Sequence, residues 1–134
     1  MDAALDTHDA SCVFIMRNVE VFSDGSGGVC ALEIVSPPFS ARDRFYFDTP
    51  ALTTFIEQLA NIERTLVGEA RLGQQFEEPY VLFRGNGRGH INVSGLLIDQ
   101  SEHGQKLEFS LTTDQTALGS LIAGLREVTD ARAA

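Results

Sequence analysis

Four side chains of the types that bind divalent metals lie in the second half of the chain: His90, Asp99, Glu102 and His103. Zinc motifs supply compact pairs of ligands at short, regular spacing. No such pair occurs here, and the last three residues surround a predicted turn. We therefore interpret all four as solvated residues and predict no metal site and no bound cofactor.

A glycine-rich segment, Gly85–His90, invites comparison with phosphate-binding loops. Such loops connect a strand to a helix, and the Walker type ends in Gly-Lys-Ser/Thr. Here the glycines stand between two predicted strands, and an Asn-Gly pair in that position is typical of a hairpin turn. One alternative stays open, in which Arg84, Arg88 and His90 form a small cationic patch for an anion.

The candidate nucleophiles and acid-base pairs have simpler interpretations. Cys12 and Cys30 fall in apolar predicted strands with no nearby cation to lower a thiol pKa, which favours inert core thiols. A disulfide between neighbouring strands is possible, but two reduced thiols are favoured because small disulfide frameworks carry more pairs. Glu77 and Glu78 lie next to Pro79, and this pattern indicates a charged loop rather than a general acid and base. We predict no catalysis.

Exposed aromatic side chains would indicate a docking surface. Phe22, Phe76 and Tyr80 fall near predicted strand ends or loops, whereas most other phenylalanines follow core periodicity. For Phe76 two interpretations remain open: a contact residue ringed by acid, or a loop aromatic tucked under a helix.

The first half of the chain predicts three strands. Cys12–Ser23 and Val29–Ser36 form a hairpin around a glycine-rich turn, and Phe39–Asp48 follows a Pro-Pro pair. Strict alternation in the third strand places Tyr46 on its polar face. Asp43 interrupts the apolar face, so we expect it near a sheet edge.

Two helices follow strands directly. Thr49 caps the first, Ala51–Val67, whose apolar residues recur at three- and four-residue spacing. The second opens at Thr112–Gln115 and runs to about Thr129. Its interior glycines, at 119 and 124, predict close packing against a sheet.

The remaining segments complete the predicted fold. Tyr80–Arg84, His90–Asp99 and Lys106–Thr113 are extended, and Ala70–Gly73 is an optional further short strand. The order is thus β-β-β-α-β-β-β-α, which predicts an α+β domain. We expect a single, mostly antiparallel sheet of about six to seven strands with two α-helices, and strong curvature of the sheet is one option. The domain spans 11–129, between flexible tails at 1–10 and 130–134.

The charge balance is strongly acidic. Nineteen Asp and Glu against ten Lys and Arg give a formal charge of -9, which disfavours direct binding to nucleic acid or anionic membranes. The surplus either aids solubility or complements a basic protein surface. With no membrane-spanning run and no secretory signal, the sequence predicts a soluble, cytoplasmic protein.

Several segments from Phe45 onward carry a family resemblance through their order. They are an apolar strand before Leu52–Phe55 with Leu59 following, then Leu66–Ala70, Gly87–Gly95 and Leu107–Gln115. In this order they resemble the WapI-like immunity proteins of bacterial polymorphic toxin systems. The resemblance covers about two thirds of the chain.

The resemblance implies a small cytoplasmic protein that binds and neutralises a cognate secreted toxin without catalysis of its own. Related toxin domains often attack nucleic acid through basic active sites, so a nuclease is one candidate for the partner, and an acidic surface would suit it. The resemblance carries over no binding residues. As accessible contact candidates we predict Glu57, Glu77, Glu78 and Arg88.

Two other classes of function remain open. One is a small-ligand or anion-binding domain with the hairpin of residues 84–90 at its mouth. The other is a hydrolytic enzyme, which requires a deep pocket that gathers His90 with a carboxylate or hydroxyl.

Overall fold

The computed structural model describes residues 1–7, 11–73, 79–98 and 104–133. Within these ranges the chain forms eight strands and two α-helices. The strands are Ala3–Ala4 (β1), Val13–Val21 (β2), Gly27–Ser36 (β3), Phe39–Asp48 (β4), Val67–Gly73 (β5), Tyr80–Asn86 (β6), His90–Ile98 (β7) and Lys106–Asp114 (β8). The helices are Thr49–Thr65 (α1) and Leu118–Ala133 (α2), the latter preceded by a 3-10 turn at Gln115–Ala117.

The strands form two antiparallel sheets of four strands each, in the orders β1-β2-β3-β4 and β5-β6-β7-β8. The α+β class is therefore confirmed, but the prediction of a single sheet of six to seven strands is wrong. Every strand pairs with its neighbour in the chain, and α1 interrupts that series between β4 and β5. Because α1 leaves the end of β4 and packs against β5, the second run of strands begins a new sheet.

One core joins both sheets and both helices. At its centre the ring of Phe83 on β6 meets the ring of Phe14 on β2, with centroids 5.3 Å apart, and that of Phe55 on α1, 5.6 Å away. Both contacts are edge-to-face, a favoured geometry for aromatic rings. All three rings are fully buried. The first sheet, the second sheet and α1 are thus fixed to one another through Phe83.

Both strand-to-helix junctions are capped by aspartate. The side chain of Asp48 accepts a hydrogen bond from the amide of Ala51 (2.6 Å), and that of Asp114 accepts one from the amide of Thr116 (3.0 Å). The sequence prediction of Thr49 as the first cap is wrong, since Thr49 is already helical. The second junction differs similarly, because β8 continues to Asp114 and the helix starts after it.

The N-terminal residues contact a β-bulge in β2. Asn18 lies in the left-handed region (φ 52°), and its amide donates to the carboxylate of Asp2 (2.8 Å). Ala3 and Ala4 then pair with β2. Strand pairing therefore begins inside the segment predicted as a tail, of which residues 8–10 lie outside the described ranges. At the other end, α2 continues to Ala133.

The two interior glycines of α2 lie at close approaches. A Cβ on Gly124 would stand 2.9 Å from both Cα and Cβ of Ala3 in β1, so the helix meets the sheet edge there. A Cβ on Gly119 would stand 3.2 Å from a carboxylate oxygen of Glu63 on α1. The prediction of close packing is confirmed against the sheet for Gly124, whereas Gly119 faces the other helix.

Replacing Phe83 by leucine should lower the free energy of unfolding by about 2 kcal/mol, because ring volume and both edge-to-face contacts are lost. Urea denaturation followed by far-UV circular dichroism measures this change. Phe39→Leu is the matched control, since Phe39 is 64% exposed. It should change stability by no more than about 0.5 kcal/mol, and equal losses in the two variants would contradict the central role of Phe83.

The two helix glycines should respond oppositely to alanine. Gly124→Ala should destabilise by about 1–2 kcal/mol, because the new methyl group meets the backbone of β1 and outweighs the gain in helix propensity. Gly119→Ala should be neutral or stabilising by up to about 1 kcal/mol, since the Glu63 carboxylate can move aside. Denaturation midpoints compare the two, and a stabilised Gly124→Ala variant would show that β1 does not hold α2.

Candidate partner-binding surface

The predicted contact residues do not form one described cluster. Glu57 is exposed in the middle of α1, and Arg88 is exposed at the turn between β6 and β7. The C-terminal end of α1 meets that turn, where the amide of Gly87 donates to the carbonyl of Leu66 (2.8 Å). Glu57 is therefore about 14 Å away along the helix axis. Glu77 and Glu78 lie outside the described residues.

The glycine-rich segment is a hairpin turn, as the sequence predicts. The side-chain oxygen of Asn86 accepts hydrogen bonds from the amides of Arg88 (2.7 Å) and His90 (3.2 Å). Arg84 is engaged by the carboxylate of Glu69, 3.0 Å from its guanidinium. One of the three side chains considered for a cationic patch, that of Arg84, is thus already paired.

Of the four residues considered for metal binding, the structure describes only His90, which is also the residue that the enzyme hypothesis requires. His90 is exposed at the first position of β7 rather than gathered into a deep pocket. Among described residues, no three His, Cys, Asp or Glu side chains lie close enough together to hold a metal ion. Asp99, Glu102 and His103 fall outside the described ranges.

Neither described helix is long and apolar enough to span a bilayer.

Neither cysteine forms a disulfide, and the two lie far apart. Cys30 is buried on β3, where it pairs with Phe45 of β4. Cys12 immediately precedes β2, whose first residue, Val13, pairs with Val35 near the C-terminal end of β3. The two cysteines are therefore separated by about six residues along β3, or about 20 Å, which is too far for a disulfide. Burial raises the pKa of the Cys30 thiol to about 12. The sequence interpretation of Cys30 as an inert core thiol agrees with this burial.

Two exposed aromatic side chains come together at one end of the first sheet. Phe22, 36% exposed, follows β2, and Tyr46, 55% exposed, lies on the outer face of β4. Both line a pocket of about 180 Å³, to which Gly27 and Gly28 contribute backbone surface. We call this site the aromatic pocket. Phe22 was an aromatic candidate from the sequence, and the alternation of β4 already placed Tyr46 on the outer face.

Three carboxylates surround the aromatic pocket. Asp48 lines it directly, Asp24 lies in the adjoining turn, and Glu20 shares a cross-strand row with Tyr46 through Val29. All three are exposed. Asp24 holds the turn by accepting hydrogen bonds from the amide (2.9 Å) and hydroxyl (2.7 Å) of Ser26. Asp24 and Asp48 are thus held in place by local hydrogen bonds.

The pocket was missed because its parts are distant in sequence. Phe22 and Tyr46 are brought to the same end of the sheet by the register of β3, which pairs Gly28 with Val21 on one side and with Phe47 on the other. A Cβ on Gly28 would lie 2.7 Å from the ring of Phe47, so glycine is needed for this close approach.

The outer face of the first sheet also carries arginines. Arg17 donates to the carboxylate of Glu33 on the neighbouring strand, and that hydrogen bond and charge raise the pKa of Arg17. Arg42 and Arg44 are exposed on β4. Within the described part of the chain neither has an ion-pair partner.

A larger cleft, of about 540 Å³, lies between β4 and the paired ends of β7 and β8. One wall is residues 40–43 of β4, and the other is Leu97 with residues 105–107. Ala41, Leu97 and Leu107 contribute apolar surface, and Asp43 contributes a carboxylate. As the sequence predicts, Asp43 lies at a sheet edge, since β4 is the last strand of its sheet.

Comparison with known proteins gives one match. A family model described as "Immunity protein WapI-like family" matches residues 13–131. The match begins in β2 and so takes in three of the four strands of the first sheet, whereas the sequence resemblance began at Phe45. No curated protein and no solved structure matches the chain significantly.

Thiol reactivity should separate the two cysteines. In the folded protein at pH 8, iodoacetamide should modify the partly exposed Cys12 and leave Cys30 unmodified, because thiolate is the reactive form and Cys30 stays protonated. Above pH 9 the unfolded chain loses the Cys30 proton while the folded chain keeps it, so stability should fall as pH rises toward 12. Mass spectrometry of modified peptides tests the first outcome, and modification of both thiols at equal rates would contradict it.

Proposed function

Because the chain belongs to the WapI-like immunity protein family, we propose that it binds a cognate bacterial toxin and neutralises it, without catalysing a reaction itself. The family match is the observation that carries this proposal. Neutralisation by binding needs a surface rather than a reaction centre, so the surface chemistry of the folded domain is the place to look for support.

The aromatic pocket has the composition of a binding hot spot. Aromatic residues are enriched at the energetic centres of protein interfaces, where surrounding residues exclude water. Phe22 and Tyr46 supply exposed ring surface on a rigid strand pairing, so little ordering is needed on binding. We therefore propose the aromatic pocket as the centre of the toxin-binding surface.

The charge around the pocket suits a basic partner. Glu20, Asp24 and Asp48 surround the two rings, and the chain as a whole has a formal charge of -9. Rim charges of this kind steer a partner and raise the association rate more than they raise affinity. A toxin that acts on nucleic acid presents a basic surface, so a nuclease fits this complementarity.

The remaining features agree with the same proposal. Neither cysteine forms a disulfide, as expected for action in a reducing cytoplasm. Glu57 and Arg88, both exposed, remain candidates for peripheral contacts, together with Glu77 and Glu78.

Co-expression with the toxin encoded beside its gene tests the function. The wild-type protein should restore growth and co-purify with the toxin. Tyr46→Ala should raise the dissociation constant by at least about 30-fold, because a central aromatic is truncated. Glu20→Lys should mainly slow association, with a smaller effect at high salt. Biolayer interferometry gives both rate constants.

Val67→Ala is the matched control, because Val67 is also a large exposed apolar residue, 56% accessible, but lies on β5 of the second sheet. It should change affinity by less than about twofold. Absence of both rescue and complex formation with the wild-type protein would overturn the immunity role. Tight binding by Tyr46→Ala would overturn only the aromatic pocket as its centre.

A further inference from the structure

We propose that the free edge of β4 is a second docking site, which accepts an extended segment carrying carboxylates at alternate positions. The incoming segment would add a strand to the first sheet. This proposal is independent of toxin neutralisation, since it follows from the backbone and charges of β4 and applies to any partner with such a segment.

The edge of β4 is long and accessible. All ten residues of β4 pair with β3 on one side. On the other side, no strand within the described residues pairs with it. An edge of this length is a ready template for another strand, and proteins usually cover or guard such edges. A peptide that adds a strand gains main-chain hydrogen bonds along the edge, and its side chains set specificity.

The side chain of Asp43 blocks part of this edge, and it can move away. The amide of Arg44 donates to the carboxylate of its neighbour Asp43 (2.8 Å), so a side chain occupies a main-chain donor. An inward-pointing charge on an edge strand is one of the devices that block unwanted pairing. Rotation of the half-buried Asp43 side chain would free the amide for an incoming strand.

There is space beside the edge for an extended segment. The cleft of about 540 Å³ runs between residues 40–43 of β4 and the ends of β7 and β8. An added strand alternates its side chains between the two faces of the sheet. Side chains that point inward would meet Ala41, Leu97 and Leu107, so apolar residues suit those positions.

The outward positions select carboxylates. Arg42 and Arg44 lie two residues apart on the outer face, about 6.6 Å along the strand. Neither has an ion-pair partner in the described ranges. Acidic residues at alternate positions of an added strand would stand beside them and form cross-strand pairs, which stabilise a sheet.

The same arginines oppose pairing with a second copy of the chain. If two β4 strands pair antiparallel about Asp43, Arg42 of each copy stands opposite Arg44 of the other. If they pair about Arg44, the two Arg44 side chains stand opposite each other. Like charges directly opposite one another destabilise a sheet. In these two registers the arginines protect the edge against self-pairing, while they leave it open to an acidic strand.

Peptide binding tests the docking site directly. The probes are two fluorescein-labelled peptides with the alternating sequences Val-Glu-Val-Glu-Val and Val-Lys-Val-Lys-Val, flanked by threonines. The glutamate peptide should bind at least about tenfold tighter in fluorescence anisotropy, and its amide NMR shifts should centre on β4. Arg42→Glu combined with Arg44→Glu should reverse the preference, whereas Arg126→Glu, which changes an exposed charge on α2, should leave it unchanged. Absent binding, equal binding of both peptides, or shifts centred elsewhere would overturn the proposal.

Charge reversal at one arginine tests the free edge without a peptide. In Arg44→Glu, pairing about Asp43 would place the introduced glutamate of each copy opposite Arg42 of the other, so this variant should dimerise in sedimentation velocity. The double variant Arg42→Glu/Arg44→Glu restores like charges and should stay monomeric, as should the wild-type protein. A monomeric Arg44→Glu variant with an unchanged melting temperature would show that the edge is not free. Neither experiment involves a toxin, so failure here is distinguishable from failure of the immunity role.

Discussion

The edge-to-face contacts of Phe83 with Phe14 and Phe55 hold the molecule together. Phe14 belongs to the first sheet, Phe83 to the second and Phe55 to the helix that connects them in the chain, so one ring contacts all three parts. Aromatic pairs of this kind contribute about 0.5–1.5 kcal/mol beyond the burial of their area. A sheet of four strands with one apolar face needs a second layer, and each sheet supplies that layer to the other around these rings.

This arrangement determines which surfaces remain for partners. The inner faces of both sheets and the apolar faces of α1 and α2 are buried in the core. Because side chains alternate along a strand, every buried residue of β4 leaves an outward neighbour: Phe45 and Phe47 are buried, and Arg44 and Tyr46 are presented outside. The contact surface of the first sheet is thus rigid because its opposite face is packed, and rigidity reduces the entropy lost on binding.

The charge distribution is more informative than the net charge of -9. Acidic side chains surround the aromatic pocket at one end of the first sheet, whereas Arg42 and Arg44 occupy the middle of its edge strand. The first sheet therefore offers two chemically different sites. One is the aromatic pocket with carboxylates around it, and the other is the edge of β4, with its two arginines. Such separation allows two partners, or two parts of one partner, to be recognised by complementary charges.

The sequence by itself determined the local elements, the α+β class and the family. The Asn86–Gly87 hairpin, the apolar stripe of α1 and the edge position of Asp43 could all be read from neighbouring residues. Tertiary structure alone decided the number of sheets, because alternation within a strand does not show which other strand pairs with it. It also decided the cap at Asp48 and brought Phe22 beside Tyr46, since strand register joins residues that no local pattern connects.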